Sequence, residues 1–182
     1  MHIAGSWILL IFAALIAAVL LLLLHLTELG HFIHQQIPDR PHRRLFLASV
    51  SFFITFLAVR LLVASITHHI GPFGYVEMGG HHIHHLVWGI LLLLLVGHAE
   101  LAEVGTGSTP QSIFLSRLIA ISYGIGAALT LDEFALWLNL DAMAYWSKQG
   151  RESIDAVVLF GALLAVTTWG APLWSKVFTK KS

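Results

Sequence analysis

Residues 118–138, LIAISYGIGAALTLDEFALWL, form the most informative segment of this chain. The segment contains no charged residue before its two adjacent acids, Asp132 and Glu133. On an ideal helix, Gly124, Ala128 and Asp132 fall within an arc of about 80°, so the aspartate lies on a face of small residues that favours close helix packing. The segment therefore predicts a membrane helix that is packed inside a bundle and carries carboxylates near one end.

The composition of the whole chain is that of a membrane protein. Of 182 residues, 57% are hydrophobic and 11% are charged, whereas a soluble domain is about 25% charged; the mean hydropathy is +0.81. Lys and Arg number 10 and are balanced by 10 Asp and Glu, so the positive excess typical of nucleic-acid binding is absent. Because the sequence contains no cysteine, disulfides, thiolate zinc sites, iron–sulfur clusters and c-type haem are excluded. His, Asp and Glu remain as strong metal ligands.

Five segments are long enough to cross about 30 Å of hydrocarbon as helices. They cover residues 7–26, 45–67, 83–101, 110–140 and 154–177. Thr109 followed by Pro110 is a typical N-cap and first-turn pair for the fourth segment. The two prolines between residues 38 and 44 break any helix that continues from the first. The sequence thus predicts an all-α, polytopic transmembrane bundle of about five spans, forming one domain over residues 1–182.

The orientation of the bundle is predicted from its cations, because Lys and Arg accumulate in short cytoplasmic loops. With an odd number of spans, most of the cations at or between span ends fall on one side of the membrane. These cations are Arg40, Arg43, Arg44, Arg117, Lys176, Lys180 and Lys181. We therefore expect the N-terminus outside and the C-terminus inside.

Twelve histidines are many for so apolar a chain, and most of them fall into two layers. The layer at the outer face contains the run Gly79-Gly80-His81-His82-Ile83-His84-His85. On a helix, His81, His84 and His85 share one face, because helical neighbours are three and four residues apart. Three imidazoles on one face can converge on one metal ion or on two neighbouring ions.

Two carboxylates and one arginine are predicted at a depth comparable to that of the outer histidines. Asp132 and Glu133 belong to the outer part of the fourth span, and Arg60 lies within the second. A charge in lipid costs on the order of 2.5 to 3.5 kcal/mol, so we expect Arg60 to pair with one carboxylate and to leave the other free to ligate. The predicted metal ligands are His81, His84, His85 and Asp132, with His82 and His69 as further candidates, and the candidate general bases are Glu133 and Glu77.

The layer at the inner face contains His25, Glu28, His31 and His34, with His98 at the inner end of the third span. On one continuous helix, a step of three residues drifts by about 60°, so His25 and His34 would lie on opposite faces. Only neighbouring pairs would then share a site. Glu28 and His31 have the Glu-x-x-His spacing of carboxylate-bridged di-iron bundles. The sequence leaves open whether this layer is a second site or a polar end of the helices.

Two resemblances to known proteins involve the histidine run. His81-x-x-His84-His85 is similar to the HxxHH histidine box of membrane fatty-acid desaturases and hydroxylases, in which several such boxes bind two irons that activate oxygen. The stretches HHIHHLVWGI at 81–90 and LDEFALWL at 131–138, with GRESID at 150–155, resemble a group of small multi-span bacterial membrane proteins of unknown activity. The first resemblance implies di-iron chemistry. The second implies a multi-pass protein of the bacterial inner (cytoplasmic) membrane.

The leading functional hypothesis is a membrane-embedded, metal-binding enzyme. Ligation by imidazole and carboxylate suits zinc or iron. Zinc activates a bound water and would support hydrolysis, with Glu133 or Glu77 as general base, whereas two irons would support an oxygenase or a desaturase. A site inside the bundle favours a lipid or another apolar substrate.

Three other functions are compatible with the same residues. A proton- or metal-ion-coupled transporter would use the ionisable groups as a hydrated path, and a homodimer would supply further helices to a five-span chain. A haem-binding electron carrier would need two histidines at one depth, such as His69 with His85 or His31 with His98. A structural subunit would use the polar groups only to pair helices. In each case, glycines at 71, 74, 79 and 80 allow the loop 71–80 to fold over the site as a lid.

Overall fold

The computed structural model describes residues 4–37, 39–70, 77–78, 81–82, 84–139 and 151–169. In these ranges the protein is all-helical, apart from two strands of two residues each that pair with one another. The elements in chain order are α1 (Ala4–Leu26), α2 (Leu29–Gln36), α3 (Arg40–Thr67), β1 (Glu77–Met78), β2 (His81–His82), α4 (His85–Leu101), α5 (Pro110–Asp132), α6 (Phe134–Asn139) and α7 (Arg151–Trp169). The predicted all-α class is confirmed.

Two of the described helices, α3 and α5, are long and apolar enough to cross a membrane, with 28 and 23 residues. A third candidate is the pair of segments Ala14–Leu26 and Gly30–Gln36, which is bent by 78° at its break. Helix α4 is apolar as well but has 17 residues. By length and composition, the described helices are those of a membrane protein with two or three candidate spans.

Helix α5 lies at the centre and packs against α1, α3, α4 and α7. Arg40 at the start of α3 contacts Ser116 near the start of α5, and Arg60 near the end of α3 contacts Asp132 at the end of α5. Helices α3 and α5 therefore run parallel. His85, the first residue of α4, also contacts Asp132, so α4 runs antiparallel to α5.

Helices α1 and α7 also run antiparallel to α5. The ring of His25, at the end of α1, meets the ring of Phe114 near the start of α5, with 5.8 Å between centroids. Ser153, early in α7, accepts a hydrogen bond from the Ala135 backbone N–H just beyond the end of α5 (2.9 Å). The bundle therefore has two ends, one where α3 and α5 begin and one where they finish.

Glycines bring these helices into backbone contact. A Cβ added to Gly124 would meet the Ala48 carbonyl oxygen and would lie 2.9 Å from the Phe52 nitrogen, so α3 and α5 touch at this position. A Cβ on Gly89 would lie 2.8 Å from the Gly126 carbonyl oxygen, which shows that α4 is close to α5 as well. The small-residue face predicted for the fourth span is a packing face.

The predicted start of the fourth span is confirmed. The Thr109 hydroxyl accepts a hydrogen bond from the Ser112 backbone N–H at 3.2 Å, and Pro110 is the first residue of α5. This cap satisfies one of the N–H groups that have no partner within the helix. Capping thus fixes the position at which the central helix begins.

The helix of the second predicted span is α3, and it begins at Arg40, earlier than the predicted residue 45. The Asp39 carboxylate accepts a hydrogen bond from the His42 backbone N–H at 3.4 Å and so caps the first turn. Pro41 lies in that first turn, where its missing N–H costs nothing. The helix of the second predicted span thus includes Pro41 instead of beginning after it.

The fourth predicted span, residues 110–140, is not one helix. Helix α5 ends at Asp132, Glu133 adopts φ −104° and ψ 23°, and α6 follows as a separate helix of six residues. The Glu133 carboxylate binds residues at the start of α4. The hydrophobic periodicity of the sequence does not reveal such a contact with another helix. Residue 140 and the predicted end of the fifth span, residues 170–177, lie outside the described residues.

The third predicted span, residues 83–101, begins as a helix only at His85. His84 has an extended backbone, with φ −72° and ψ 143°, and precedes the helix as its N-cap. His81 and His82 belong to strand β2. The prediction that His81, His84 and His85 share one helical face is therefore wrong, because a helix does not extend back through the run.

Replacement of Gly124 by Ala is expected to destabilise the fold, because the added methyl group meets backbone atoms of α3. We expect a loss on the order of 1–3 kcal/mol, typical of overpacking, seen as a lower midpoint of thermal unfolding in detergent. The matched control is Gly97→Ala in α4, where nothing lies within 4 Å of the added Cβ. Its midpoint should be unchanged or raised, since alanine favours a helix over glycine. Equal midpoints for the two variants would contradict the backbone contact of α3 and α5.

Candidate functional site

The candidate site lies where the end of α5 meets the start of α4. Asp132 is the last residue of α5 and Glu133 follows it, while His84 is the N-cap of α4 and His85 is its first residue. Two adjacent acids therefore face two adjacent histidines, and Arg60 reaches them from α3. We call these five residues the polar cluster.

The residues of the polar cluster contact one another in pairs, nitrogen to oxygen. His84 Nδ1 lies 2.9 Å from Glu133 Oε1, and His85 Nε2 lies 2.9 Å from Asp132 Oδ2. His85 Nδ1 lies 3.4 Å from Glu133 Oε1. Arg60 Nε pairs with Asp132 Oδ1, and its Nη2 donates to the Asp132 carbonyl oxygen at 3.2 Å. The predicted pairing of Arg60 with one of two carboxylates is confirmed, and its partner is Asp132. The prediction that the other carboxylate is free to ligate is wrong, because Glu133 contacts both histidines.

The two acids are the most buried side chains of the cluster. The side chains of His84 and Arg60 are 26% and 25% exposed, that of His85 is 12% exposed, that of Glu133 is 8% exposed, and that of Asp132 is 0% exposed. An ionised carboxylate without access to water is stable only if it is paired and hydrogen-bonded. Arg60 and His85 meet this requirement for Asp132 from two different helices.

The cluster lacks one positive charge as long as both histidines are neutral. Arg60 carries one positive charge, whereas Asp132 and Glu133 carry one negative charge each when they are ionised. Uncompensated charge is costly in a medium of low dielectric constant. One proton on His84 or His85 supplies the missing charge and makes the cluster neutral.

Carboxylate oxygens face both ring nitrogens of His85, Asp132 Oδ2 at 2.9 Å and Glu133 Oε1 at 3.4 Å. A neutral imidazole has a single N–H, whereas an imidazolium has two, and ionised carboxylates only accept. Only a protonated His85 can therefore offer an N–H to both carboxylates.

Glu133 also caps helix α4. Its Oε2 accepts a hydrogen bond from the Leu86 backbone N–H at 2.9 Å. The first N–H groups of a helix have no partner within the helix, and the helix dipole stabilises negative charge at this end. Glu133 is thus held by His84, His85 and the backbone of α4, and this explains why it leaves the helical path of α5.

The pKa of His84 is raised above its ordinary value. The largest cause is the hydrogen bond to Glu133; partial burial of the ring opposes it, and the negative charge of Glu133 adds to it. Because the pKa is higher in the folded chain than in the unfolded chain, this contact stabilises the fold fully below the ordinary value of about 6.5. The stabilisation is lost as the pH rises through the raised pKa of the folded chain.

The other outer residues predicted to act lie on the hairpin before α4. Strands β1 and β2 are antiparallel, with Glu77 opposite His82 and Met78 opposite His81. The backbone of this hairpin is described, whereas the side chains of Glu77, His81 and His82 lie outside the described residues. Their roles as general base and metal ligands therefore stay predictions, and so does a lid formed by the loop 71–80.

His69, the remaining predicted ligand, lies in the turn that ends α3. Its φ is 55° and its side chain is exposed. Within the described part of the chain, the contacts made by the cluster do not include His69. Its role as a ligand stays a prediction, and it offers an exposed reference histidine for comparison with His84 and His85.

Among the described residues, no group of three or more His, Asp and Glu side chains is placed to hold a metal ion. The imidazoles and carboxylates of the cluster lie against one another, and Arg60 pairs with one oxygen of Asp132. Binding of zinc or iron would require these side chains to separate or further ligands to approach. The arrangement described is thus a hydrogen-bonded ion network.

The inner layer converges on one cavity of about 450 Å³. The expectation of opposite faces assumed a continuous helix, whereas the chain bends by 78° between α1 and α2. This bend brings four residues of the inner layer to the cavity, beside an arginine. His98, the fifth residue of the layer, does not line the cavity. The ionisable residues that line the cavity are His25, Glu28, His31, His34 and Arg117.

Two groups that support the cluster were missed by the sequence analysis. The Leu86 N–H is a backbone group, so no residue type identifies it. Ser153 is fully buried, and its hydroxyl holds α7 against Ala135, next to the turn that contains Glu133. A buried serine in an apolar helix is a weak signal, because it can equally bond within its own helix.

The chain matches no protein-family model, no curated protein and no solved structure.

What distinguishes the site is a series of titratable side chains in direct contact. The series begins at partly exposed His84 and ends at fully buried Asp132. Such a series can bind a proton and pass it inward.

The midpoint of thermal unfolding in detergent should fall as the pH rises above the ordinary histidine pKa of about 6.5, because the contact of His84 with Glu133 is lost as the pH passes the raised pKa of the folded chain. His84→Gln should flatten this dependence, since glutamine does not titrate. The control is His69→Asn, which removes an exposed histidine and should keep the wild-type slope; asparagine tolerates the positive φ at this position. A full wild-type slope in His84→Gln would show that His84 does not couple folding to pH.

Proposed function

We propose that this chain is a multi-pass membrane protein that binds and releases one proton at the polar cluster, as part of proton-coupled ion transport. The observation that carries the proposal is the series of contacts His84–Glu133–His85–Asp132–Arg60. Each contact joins a nitrogen donor to a carboxylate. Loss of one proton changes the net charge of the cluster from zero to minus one, which is a large change for a buried group.

The exposure of His84 supports entry of the proton at this residue. Of the two histidines and two acids, His84 is the most exposed, at 26%, and Glu133 contacts both His84 and His85. A proton can therefore pass from one imidazole to the other through a shared carboxylate. The buried hydroxyls of Thr55 and Ser51 lie about one turn apart on α3, between Arg60 and the start of the helix. They continue the series of buried polar groups from the polar cluster toward the opposite end of the bundle.

We further propose that α1, α3, α4, α5 and α7 all cross the membrane. Parallel α3 and α5, with α1, α4 and α7 antiparallel to them, have the directions that five alternating spans require. Large apolar side chains on the outer faces of the bundle support contact with lipid. Leu57 on α3, Leu94 on α4 and Leu159 on α7 are 61%, 65% and 73% exposed.

The proposed orientation places the polar cluster at the outer side of a bacterial inner membrane. Four arginines lie near the starts of α3 and α5, at the other end of the bundle from the cluster: Arg40, Arg43, Arg44 and Arg117. Because Arg and Lys accumulate on the cytoplasmic side, this end would face the cytoplasm. The N-terminus would then be outside and the C-terminus inside.

The proposal predicts proton flux that depends on His85. In proteoliposomes with a trapped pH dye, a potassium diffusion potential should drive proton uptake by the wild-type protein. His85→Asn should slow the uptake by about a hundredfold, since this substitution removes a group that carries the proton. The midpoint of thermal unfolding of each variant is measured in parallel, so that a folding defect is recognised.

The matched control is His69→Asn, the same substitution at an exposed histidine in the turn that ends α3, at the same end of the bundle as His85. Its proton uptake should equal that of the wild type. Equal uptake by His85→Asn and the wild type, or no uptake above that of empty liposomes in any of the samples, would refute proton-coupled transport.

A metal-dependent enzyme is the second candidate, favoured by the residue types in the cluster. Two imidazoles and two carboxylates meet at one helix contact, and zinc or iron prefers such ligands. The bilayer around the cluster would supply a lipid or another apolar substrate. We favour the proton because a divalent ion in place of the proton would leave the cluster with a net positive charge, whereas one proton makes it neutral.

Elemental analysis of the purified, tag-free protein separates the two candidates. Proton binding predicts no stoichiometric zinc or iron, whether or not metal is supplied during purification. About one or two equivalents per chain in the wild type, absent from His85→Asn and retained in His69→Asn, would instead support the metal-dependent enzyme.

A further inference from the structure

A second charged site lies at the opposite end of the same helices. A cavity of about 270 Å³ opens between α2, the start of α3 and the start of α5. Arg40 and Arg60 are 20 residues apart on α3, so this cavity is about 30 Å from the polar cluster. Its lining, all within the described residues, includes no carboxylate. The polar side chains that line it include Arg40, Arg43, Arg44, Arg117, His34 and Ser116.

Two of the arginines mainly hold the fold together. Arg40 donates to the carbonyl oxygens of Thr106 (2.6 Å) and Gly107 (2.8 Å), in the loop before α5. Arg44 pairs with Glu100 near the end of α4. These contacts fix the walls of the cavity, and the charge of Arg44 is compensated by its carboxylate.

Arg117 differs from these two residues. It is partly buried in α5, two turns from the start of the helix, and within the described part of the chain it has no hydrogen-bond acceptor. Arg43 lines the same cavity, donates a hydrogen bond from Nη1 to the Ile37 carbonyl oxygen (2.8 Å) and lies close enough to repel Arg117 electrostatically. Two like charges held together near an apolar core destabilise each other, so an anion between them is stabilised by both.

The remaining walls of the cavity match a phosphate group attached to an apolar body. A guanidinium group offers N–H donors in a planar fork that binds two phosphate oxygens at once. Ser108 and Ser116 add hydroxyl groups to the lining. Leu24, Ile33 and Leu47 add apolar surface to the same lining.

We propose that this arginine cavity binds a phosphate-bearing anion, with Arg117 and Arg43 as its ligands. The phosphate is either the headgroup of an anionic phospholipid in the adjoining leaflet or a soluble phosphate that enters from water. The proposal goes beyond the proton function, since the two sites share no residue and lie at opposite ends of α3.

The test uses the full chain purified in detergent and two probes. Native mass spectrometry compares binding of phosphatidylglycerol with that of phosphatidylcholine, and titration calorimetry measures binding of inorganic phosphate. Arg117→Gln should weaken binding of whichever probe binds the wild type by at least about tenfold, as expected for a lost charged hydrogen bond. Arg117→Lys should be intermediate, because lysine keeps the charge but not the fork. Arg43→Gln provides a second variant if Arg117→Gln does not fold.

Two controls accompany these variants. Lys148→Gln removes one positive charge elsewhere in the chain, and His85→Asn alters the polar cluster; both should bind like the wild type. Preference for phosphatidylglycerol that depends on Arg117 assigns the cavity to a lipid headgroup, and saturable phosphate binding that depends on Arg117 assigns it to a soluble ligand. Wild-type binding in folded Arg117→Gln, or no binding of either probe to the wild type, overturns the proposal.

Discussion

Two adjacent carboxylates buried at the end of α5 constrain the ends of three helices. Asp132 has no exposed side-chain surface and Glu133 has almost none, so each needs partners that remain in place. Arg60 approaches from α3, and His84 and His85 approach from α4. Neutralising the two acids therefore draws α3 and α4 onto the same end of the central helix. It also makes the charge of this end depend on a single proton, because one arginine cannot compensate two carboxylates.

Packing and charge support each other in this arrangement. Gly124 and Gly89 let α3 and α4 approach α5 to backbone contact, which keeps the cluster residues within hydrogen-bond distance. Glu133 in turn caps α4 through the Leu86 N–H. Loss of the cluster proton would thus act on the start of α4 as well as on a carboxylate. In the proposed function, proton binding would in this way change the position of a helix, as coupling to transport requires.

Much of the fold, the five residues of the polar cluster and the pairing of Arg60 with a carboxylate could be predicted from local patterns, whereas the other contacts of the cluster could not. The cap at Thr109 follows from residue preferences, and the pairing of Arg60 with a carboxylate follows from the cost of a lone buried charge. The break at Glu133 could not be predicted, since it depends on contacts with another helix. The extended backbone at His84 and the convergence of the inner layer depend on where helices end. Arg117 was used in the sequence analysis to predict the orientation of the bundle in the membrane. Its position beside Arg43 depends on the packing of α3 against α5, which the sequence does not show.

The central claim is that one proton on His84 or His85 balances the charge of the polar cluster, and nitrogen NMR of the histidine-labelled protein in lipid bilayers tests it most directly. The signals of the two rings are assigned by their absence from His84→Gln and His85→Asn. At neutral pH, one of the two rings should show two N–H nitrogens with imidazolium chemical shifts. A single N–H on both rings, typical of neutral tautomers, would contradict the charge balance on which the proposed function depends.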